Sequence, residues 1–299
     1  MLFNSIEFII FFVFVTLFYY ILPHKYRWVL LLISSYIFYM AWKPAYILLI
    51  LLCTAVNYIA ALRIYKVKNS KTKKFWLILS LTISFGVLFV YKYLSFINES
   101  LRAVFSYFNL NYTVKHFDIF LPMGISFYTF QTLSYTIDVY RGDIKPERNF
   151  FMLSLYVTFF PQLVAGPIER SDKLLPQFRK EVYFDGEKVL NGIKIMLIGF
   201  FKKIVVADRL AIAVDAVYNS PENFAGIFYI IATIMFAFQI YCDFSGYSEI
   251  ALGAAKVLGI DLMRNFDRPY LSKSIQEFWR RWHISLSTWF KDYLYISLG

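Results

Sequence analysis

The chain has 299 residues, 59% hydrophobic and only 17% charged, with 31 Lys or Arg against 20 Asp or Glu and a formal net charge of +11. Soluble domains run at about one-half apolar and about one-quarter charged, so a water-soluble domain is excluded, and 33 Phe, 24 Tyr and 6 Trp exclude a disordered chain. The basic residues gather in short loops between apolar runs, as the positive-inside bias of membrane proteins requires, so the charge carries no nucleic-acid reading.

The composition therefore reads as an all-α polytopic membrane protein. A helix needs about 20 apolar residues to cross the hydrocarbon core, and candidate spans fall at 5–22, 28–42, 44–61, 75–91, 119–137, 150–168 and 224–242. The first is read as a retained span, since Met1 to Asn4 is uncharged and no small-residue cleavage site follows. Loop 62–74 carries Arg63, Lys66, Lys68, Lys71, Lys73 and Lys74, which places it in the cytoplasm and the N-terminus outside. Counting onward puts 92–118 outside and both 141–148 and 169–188 inside. Up to residue 188 the inner loops hold sixteen Lys or Arg, and the outer ones hold Lys43, Lys92, Arg102 and Lys115 alone.

Segment 150–168 has basic flanks at both ends and Pro161, Gly166 and Pro167 in its second half. A proline inside a helix removes a hydrogen bond and kinks it, so the segment is expected to re-enter rather than cross, with its broken backbone buried or lining a wet cavity. Pro122 and Gly124 interrupt 119–137 more mildly. Region 189–220 is broken by Lys194, Lys202, Lys203, Asp208 and Arg209, and reads either as one span with snorkelling lysines or as two shorter pieces. The total is about eight spans around an internal cavity.

Cys53 and Cys242 lie in separate apolar runs, which is neither a disulfide framework nor a zinc spacing. His24 sits in a basic turn and His116 in an outer loop beside Lys115 and Asp118, both read as loop residues. His283 differs. On a continuous helix Trp279, Trp282, Leu286, Trp289 and Tyr293 form an aromatic stripe, and His283 flanks it with Ser287 one turn on and Trp279 and Arg280 one turn back. Asp292 would lie about 180° round that helix and cannot orient the imidazole. From the residues alone His283 is either a general base, since imidazole titrates near neutrality, or a buried structural histidine. Gln239, Asp243, Ser245, Ser248 and Glu249 cluster at the end of an uncharged span. They read as a cavity wall or as the cap of a following helix. The chain contains no nucleophile elbow, phosphate-binding loop, dinucleotide fingerprint or metal-ligand spacing.

Several strings resemble the membrane-bound O-acyltransferase (MBOAT) family in its bacterial alginate O-acetyltransferase branch. They are Leu121-Pro122-Met123-Gly124-Ile125-Ser126-Phe127-Tyr128-Thr129-Phe130-Gln131, Phe159-Phe160-Pro161-Gln162-Leu163-Val164-Ala165-Gly166-Pro167-Ile168, the Tyr241 to Glu249 run, and Phe278-Trp279-Arg280-Arg281-Trp282-His283-Ile284-Ser285-Leu286-Ser287. The resemblance implies a ring of transmembrane helices with re-entrant segments around a tunnel joining a cytoplasmic donor to an outer acceptor. It implies acetyl transfer to hydroxyls of an exported or cell-surface polysaccharide, with His283, the first of two motif histidines, as the base. Gln131, Pro161, Gln162 and Asp243 match positions that shape the tunnel, and Ser287 joins them by its place one turn from His283. No bound cofactor is implied. The acyl donor is a co-substrate, acetyl-CoA or an acyl-carrying partner. Membrane lipid, the polysaccharide and an extracytoplasmic acetyltransferase protein are the implied partners, and the bacterial cytoplasmic (inner) membrane is the implied location.

The family's second histidine, in a Trp-His-Gly segment, has no counterpart up to Gly299. The expectation is a single domain over 1–299, truncated at its C-terminus, from a longer enzyme or as a shortened product. Two other readings stand beside it: a small-solute transporter, from the broken segments and the Asp243 cluster, and a non-catalytic assembly subunit.

Overall fold

The computed structural model describes residues 1–114, 120–164 and 166–298, and every regular element among them is helical. His116 and the start of the 119–137 span lie outside the described residues. The chain divides into two compact units, 43–158 and 1–42 with 159–299.

In the second unit, α1 (Ile6–Ile21) is capped by Ser5, whose hydroxyl accepts from the Phe8 amide, and α2 (His24–Met40) follows directly. Large apolar residues on α1, among them Ile9, Val13 and Leu17, stay about half exposed, as a lipid-facing surface requires. The opposite side buries Phe8 against Phe38 of α2, with Phe12 stacked on Phe8.

Residues 43–158 contribute α3 (Ile47–Lys66), α4 (Ser70–Tyr107), α5 (Ile125–Arg141) and α6 (Phe150–Thr158). Asn57 of α3 ties three of them. Its amide donates to Ser84 Oγ of α4 at 3.0 Å, and its carbonyl oxygen accepts from Thr136 Oγ1 of α5 at 2.7 Å. Polar groups in an apolar surround are stable only when paired in this way, and they then act as interhelical glue. The 38-residue α4 runs 16 residues past the end at 91 that hydropathy suggests, because Tyr91 to Arg102 holds no Gly or Pro to stop a helix that is already nucleated.

The chain then re-enters the unit that holds α1 and α2. Phe159 takes φ −47° and ψ 110°, so the apolar run breaks between α6 and the four-residue α7 (Phe160–Leu163), where Pro161 occupies the first turn. The break expected in 150–168 is present, two residues before the first proline. The Phe160 amide, released from any helix, donates to the buried Ser35 hydroxyl at 3.1 Å. There follow α8 (Ser171–Arg179) and α9 (Gly186–Phe200), then a π-helical turn over Phe201–Ala207 that leads straight into α10 (Asp208–Asn219). Of the two readings of 189–220, the structure has one helical run, widened at Lys202 and Lys203.

α11 spans Gly226–Val257 without interruption, so no helix begins at Asp243 or Ser245 and neither is a cap. The hydropathy drop there marks where α11 passes from an exposed half to a buried one. Beyond it come α12 (Ile275–Arg281), α13 (Ile284–Phe290), a π turn over Lys291–Tyr295 and α14 (Ile296–Leu298). Among the described residues three helical stretches, Pro44–Lys66, Ser70–Tyr107 and Gly226–Val257, are long and apolar enough to cross a membrane, and Ile6–Ile21 is a shorter apolar one.

Candidate active site around His283

The segment that presents His283 begins with a reciprocal cap. Ser274 Oγ accepts from the Glu277 amide at 3.1 Å while Glu277 Oε2 accepts from the Lys273 amide at 2.8 Å, which fixes the start of α12. The helix lasts seven residues. Trp282 turns extended, at φ −101° and ψ 127°, and His283 turns left-handed, at φ 44° and ψ 55°. The continuous helix expected through Trp279 to Tyr293 is therefore corrected to two short helices with His283 in the joint. Trp279 and Arg280 are not one turn behind it. Ser287 remains one turn ahead, its amide donating to the His283 carbonyl at 3.0 Å and its hydroxyl to the Trp282 carbonyl at 3.2 Å.

A left-handed conformation costs a residue with a Cβ about 1–2 kcal/mol, so its surroundings must enforce it. Two strand-like backbone bonds do so. The Ile284 amide donates to the Asn265 carbonyl at 2.9 Å, and the Asp267 amide donates to the Arg281 carbonyl at 3.0 Å, lacing the joint to the loop that follows α11.

The imidazole is 8% exposed and stands edge-on to Phe244 of α11, with ring centroids 4.7 Å apart and planes at 83°. Phe266 packs on Phe244 at 5.0 Å and on Trp282 at 5.0 Å, completing an aromatic wall. Burial in this apolar surround pushes the imidazole down from 6.5 to about 4, against a small opposing pull from its own backbone. The ring is thus neutral at physiological pH and holds a lone pair able to accept a proton.

Phe266 and Asn265 also line a cavity of about 190 Å³, with Ser245, Ser248 and Glu249 of α11 and Ile195 and Ile198 of α9. The hydroxyls of Ser245 and Ser248 and the Asn265 amide nitrogen are buried without a hydrogen-bond partner among the described residues. Glu249 is paired with Lys202 of the π turn.

The other sequence-derived positions divide. Asp243 sits one residue from Phe244 but is bound by Lys203, 2.6 Å from its carboxylate, and the same ammonium lies 2.8 Å from Asp208. Pro161 and Gln162 are in α7, with Gln162 2% exposed. Gln131 belongs to the 43–158 unit, where its amide donates to the Tyr156 carbonyl at 2.7 Å and joins α5 to α6. His24 opens α2 and donates from Nε2 to the Arg179 carbonyl at 3.0 Å, while Cys53 and Cys242 are buried and free. Asp292 is 2.8 Å from Arg170. Among the described residues no group of three His, Cys, Asp or Glu is placed to hold a metal ion.

Sequence reasoning missed Asn265, Phe244 and Glu169. Glu169 is 2% exposed, accepts from the Met263 amide at 2.5 Å, and so fixes the same loop two residues before Asn265. Burial pushes its carboxyl up to about 7. Phe244 lies in the Tyr241 to Glu249 run but nothing there singles it out, and neither Asn265 nor Glu169 stands in a local pattern that marks a role.

A family model described as MBOAT, membrane-bound O-acyltransferase family, matches residues 147–299. The chain is 41% identical over 283 residues to the probable alginate O-acetylase AlgI of Pseudomonas aeruginosa, covering 94% of this chain and 54% of that protein. It is 41% identical over 304 residues to the probable alginate O-acetylase AlgI of Azotobacter vinelandii, covering 100% of this chain and 60% of that one. To the peptidoglycan O-acetyltransferase of Helicobacter pylori it is 34% identical over 298 residues, 90% of this chain and 55% of that relative. The chain thus spans a little over half the length of these relatives.

Proposed function

Since this chain belongs to the membrane-bound O-acyltransferase family, we propose that it moves acetyl groups onto hydroxyls of an exported or cell-surface polysaccharide, with His283 as general base. One observation carries the assignment of the base: a buried, neutral imidazole, held in a strained joint against an aromatic wall, within the residues that the family matches.

In this reading the acceptor hydroxyl gives its proton to His283 as its oxygen attacks the acyl carbonyl. The donor leaves as a thiolate with the electron pair of the broken carbon–sulfur bond and becomes a thiol by taking the proton from the imidazolium. Acetyl-CoA or an acyl-carrying protein supplies the group, and an extracytoplasmic acetyltransferase protein takes part in delivery. A resting imidazole near 4 secures the proton-accepting form, at the expense of basicity. The apolar helices are read as about eight crossings of the bacterial inner membrane, with the N-terminus outside and loop 62–74 inside, on the strength of the basic-residue asymmetry.

The names of the Pseudomonas, Azotobacter and Helicobacter relatives support a polysaccharide or cell-wall acceptor. The test is His283→Ala in the full-length protein, read as surface O-acetylation at unchanged membrane abundance. Acetylation is expected to fall to background. Wild-type acetylation in that variant removes His283 as the base.

A further inference from the structure

We infer that Asn265 is a positioning residue for His283, acting through Ser285; the inference rests on the reading of His283 as the base. Asn265 lies in the loop after α11, eighteen residues before the histidine, and is 1% exposed. Its backbone carbonyl takes the Ile284 amide at 2.9 Å, and its side-chain oxygen takes the Ser285 hydroxyl at 2.6 Å and the Ser285 amide at 3.4 Å. One residue thus holds the two positions that follow His283, by backbone and by side chain together.

The consequence is geometric. The first turn of α13 leaves amides without helical partners, and two of them, on Ile284 and Ser285, are spent on Asn265. Releasing that clamp lets His283 leave its left-handed state, which is the lower-energy course for a residue with a Cβ. The imidazole would then swing away from the edge of Phe244. Ser285 is itself 1% exposed, and its buried hydroxyl donates to Asn265 Oδ1. Asn265 also lines the cavity of about 190 Å³ with Ser245 and Ser248, so the residue that clamps the histidine joint is itself part of that cavity wall.

The experiment uses the full-length enzyme in membrane vesicles, with acetyl-labelled coenzyme A as donor probe and label on cell-surface polymer as readout. Wild type, His283→Ala, Asn265→Ala, Ser285→Ala and Ser285→Thr are compared. A misplaced base costs up to about 10²-fold in rate. Asn265→Ala and Ser285→Ala are therefore expected to lower kcat by about 10-fold or more with the donor KM within about twofold. Ser285→Thr keeps the hydroxyl and is expected to restore most of the rate. The acid limb of the Ser285→Ala profile should move upward as water reaches a loosened imidazole.

Unchanged kcat in Ser285→Ala, a rise in KM alone, or no recovery in Ser285→Thr overturns the positioning role. If Asn265→Ala fails to accumulate, the serine pair decides alone. Full activity in His283→Ala removes the base assignment and this inference with it, and a wild-type chain that moves no label removes the transfer reading itself.

Discussion

Gly199 of α9 and Gly246 of α11 touch backbone to backbone: a Cβ on Gly199 would lie 2.6 Å from the Gly246 carbonyl oxygen, and one on Gly246 would lie 2.8 Å from that of Gly199. The obstacle is main chain on both sides, so no rotamer change relieves it. One heptad earlier on α9, Gly192 repeats the arrangement against Gly253, where an added Cβ would meet a carbonyl at 2.8 Å. Small residues let membrane helices approach closely enough for dispersion to hold them.

Gly246→Ala is therefore expected to force α9 and α11 apart and to cost about 1–3 kcal/mol, the usual scale for overpacking. A thermal midpoint measured in detergent checks it. Gly226→Ala, with nothing within 4 Å of the added atom, is the matched control and should leave the midpoint unchanged.

Lys203 holds Asp208 and Asp243 at once, at 2.8 and 2.6 Å, with only 15% of its side chain exposed. Lys203→Met leaves two carboxylates close together without their cation, a costlier state than removing cation and anion together. A double-mutant cycle with Asp243→Asn should show coupling of about 0.5–3 kcal/mol. Additive losses would make the pair incidental.

The carboxyl of Glu169 is pushed up to about 7 by burial, from 4.5. Its folded-state value is raised, so its contribution is present below pH 4.5 and is lost as pH rises through 7. Glu169→Gln keeps an oxygen for the Met263 amide and removes that titration. The variant should gain midpoint relative to wild type between pH 4.5 and 8, and an equal pH slope in the two proteins would refute the account.

His283 behaves oppositely. Its folded value is depressed from 6.5 to about 4, so the stability it contributes is present above pH 6.5 and is lost as pH falls towards 4. In activity, the acid limb of acetyl transfer should fall near pH 4. Phe244→Ala opens the wall at 4.7 Å from the ring and should move that limb towards 6.5. A limb that stays in place would mean the aromatic wall does not keep water from the imidazole.

Hydropathy located α1, α2, α3 and α5 with ends off by up to six residues, because a long apolar run is the signal it measures. It misjudged α4 and α11 for the same reason. Residues 92–107 and 243–257 are helical yet more polar, and hydropathy reports the surround rather than the backbone. The break at Phe159 was legible two residues away through Pro161. That at His283 was not, since neither Gly nor Pro stands there and the determinant, Asn265, is eighteen residues upstream in sequence but in contact in space. His283 itself stood out because histidine is scarce in the chain. Its partners did not, because a lone Asn, Phe or Glu in an apolar sequence has many structural uses.

The π turn over 201–207 has a further meaning as a change of phase. The buried positions Gly192 and Gly199 are seven apart, Ala207 follows eight later, and Val214 seven after that. A strict heptad has gained one residue, and the widened turn absorbs it so that the stripe stays on one side. The surplus residue leaves two consecutive lysines able to reach α11, Lys202 to Glu249 and Lys203 to Asp243. In a regular α-helix adjacent side chains diverge by about 100°, and one of those pairs would be lost. Deleting a single residue from the turn should thus leave a well-packed, regular helix carrying one ion pair fewer, which makes this stretch a place where length rather than residue identity sets the charge pattern beside the cavity.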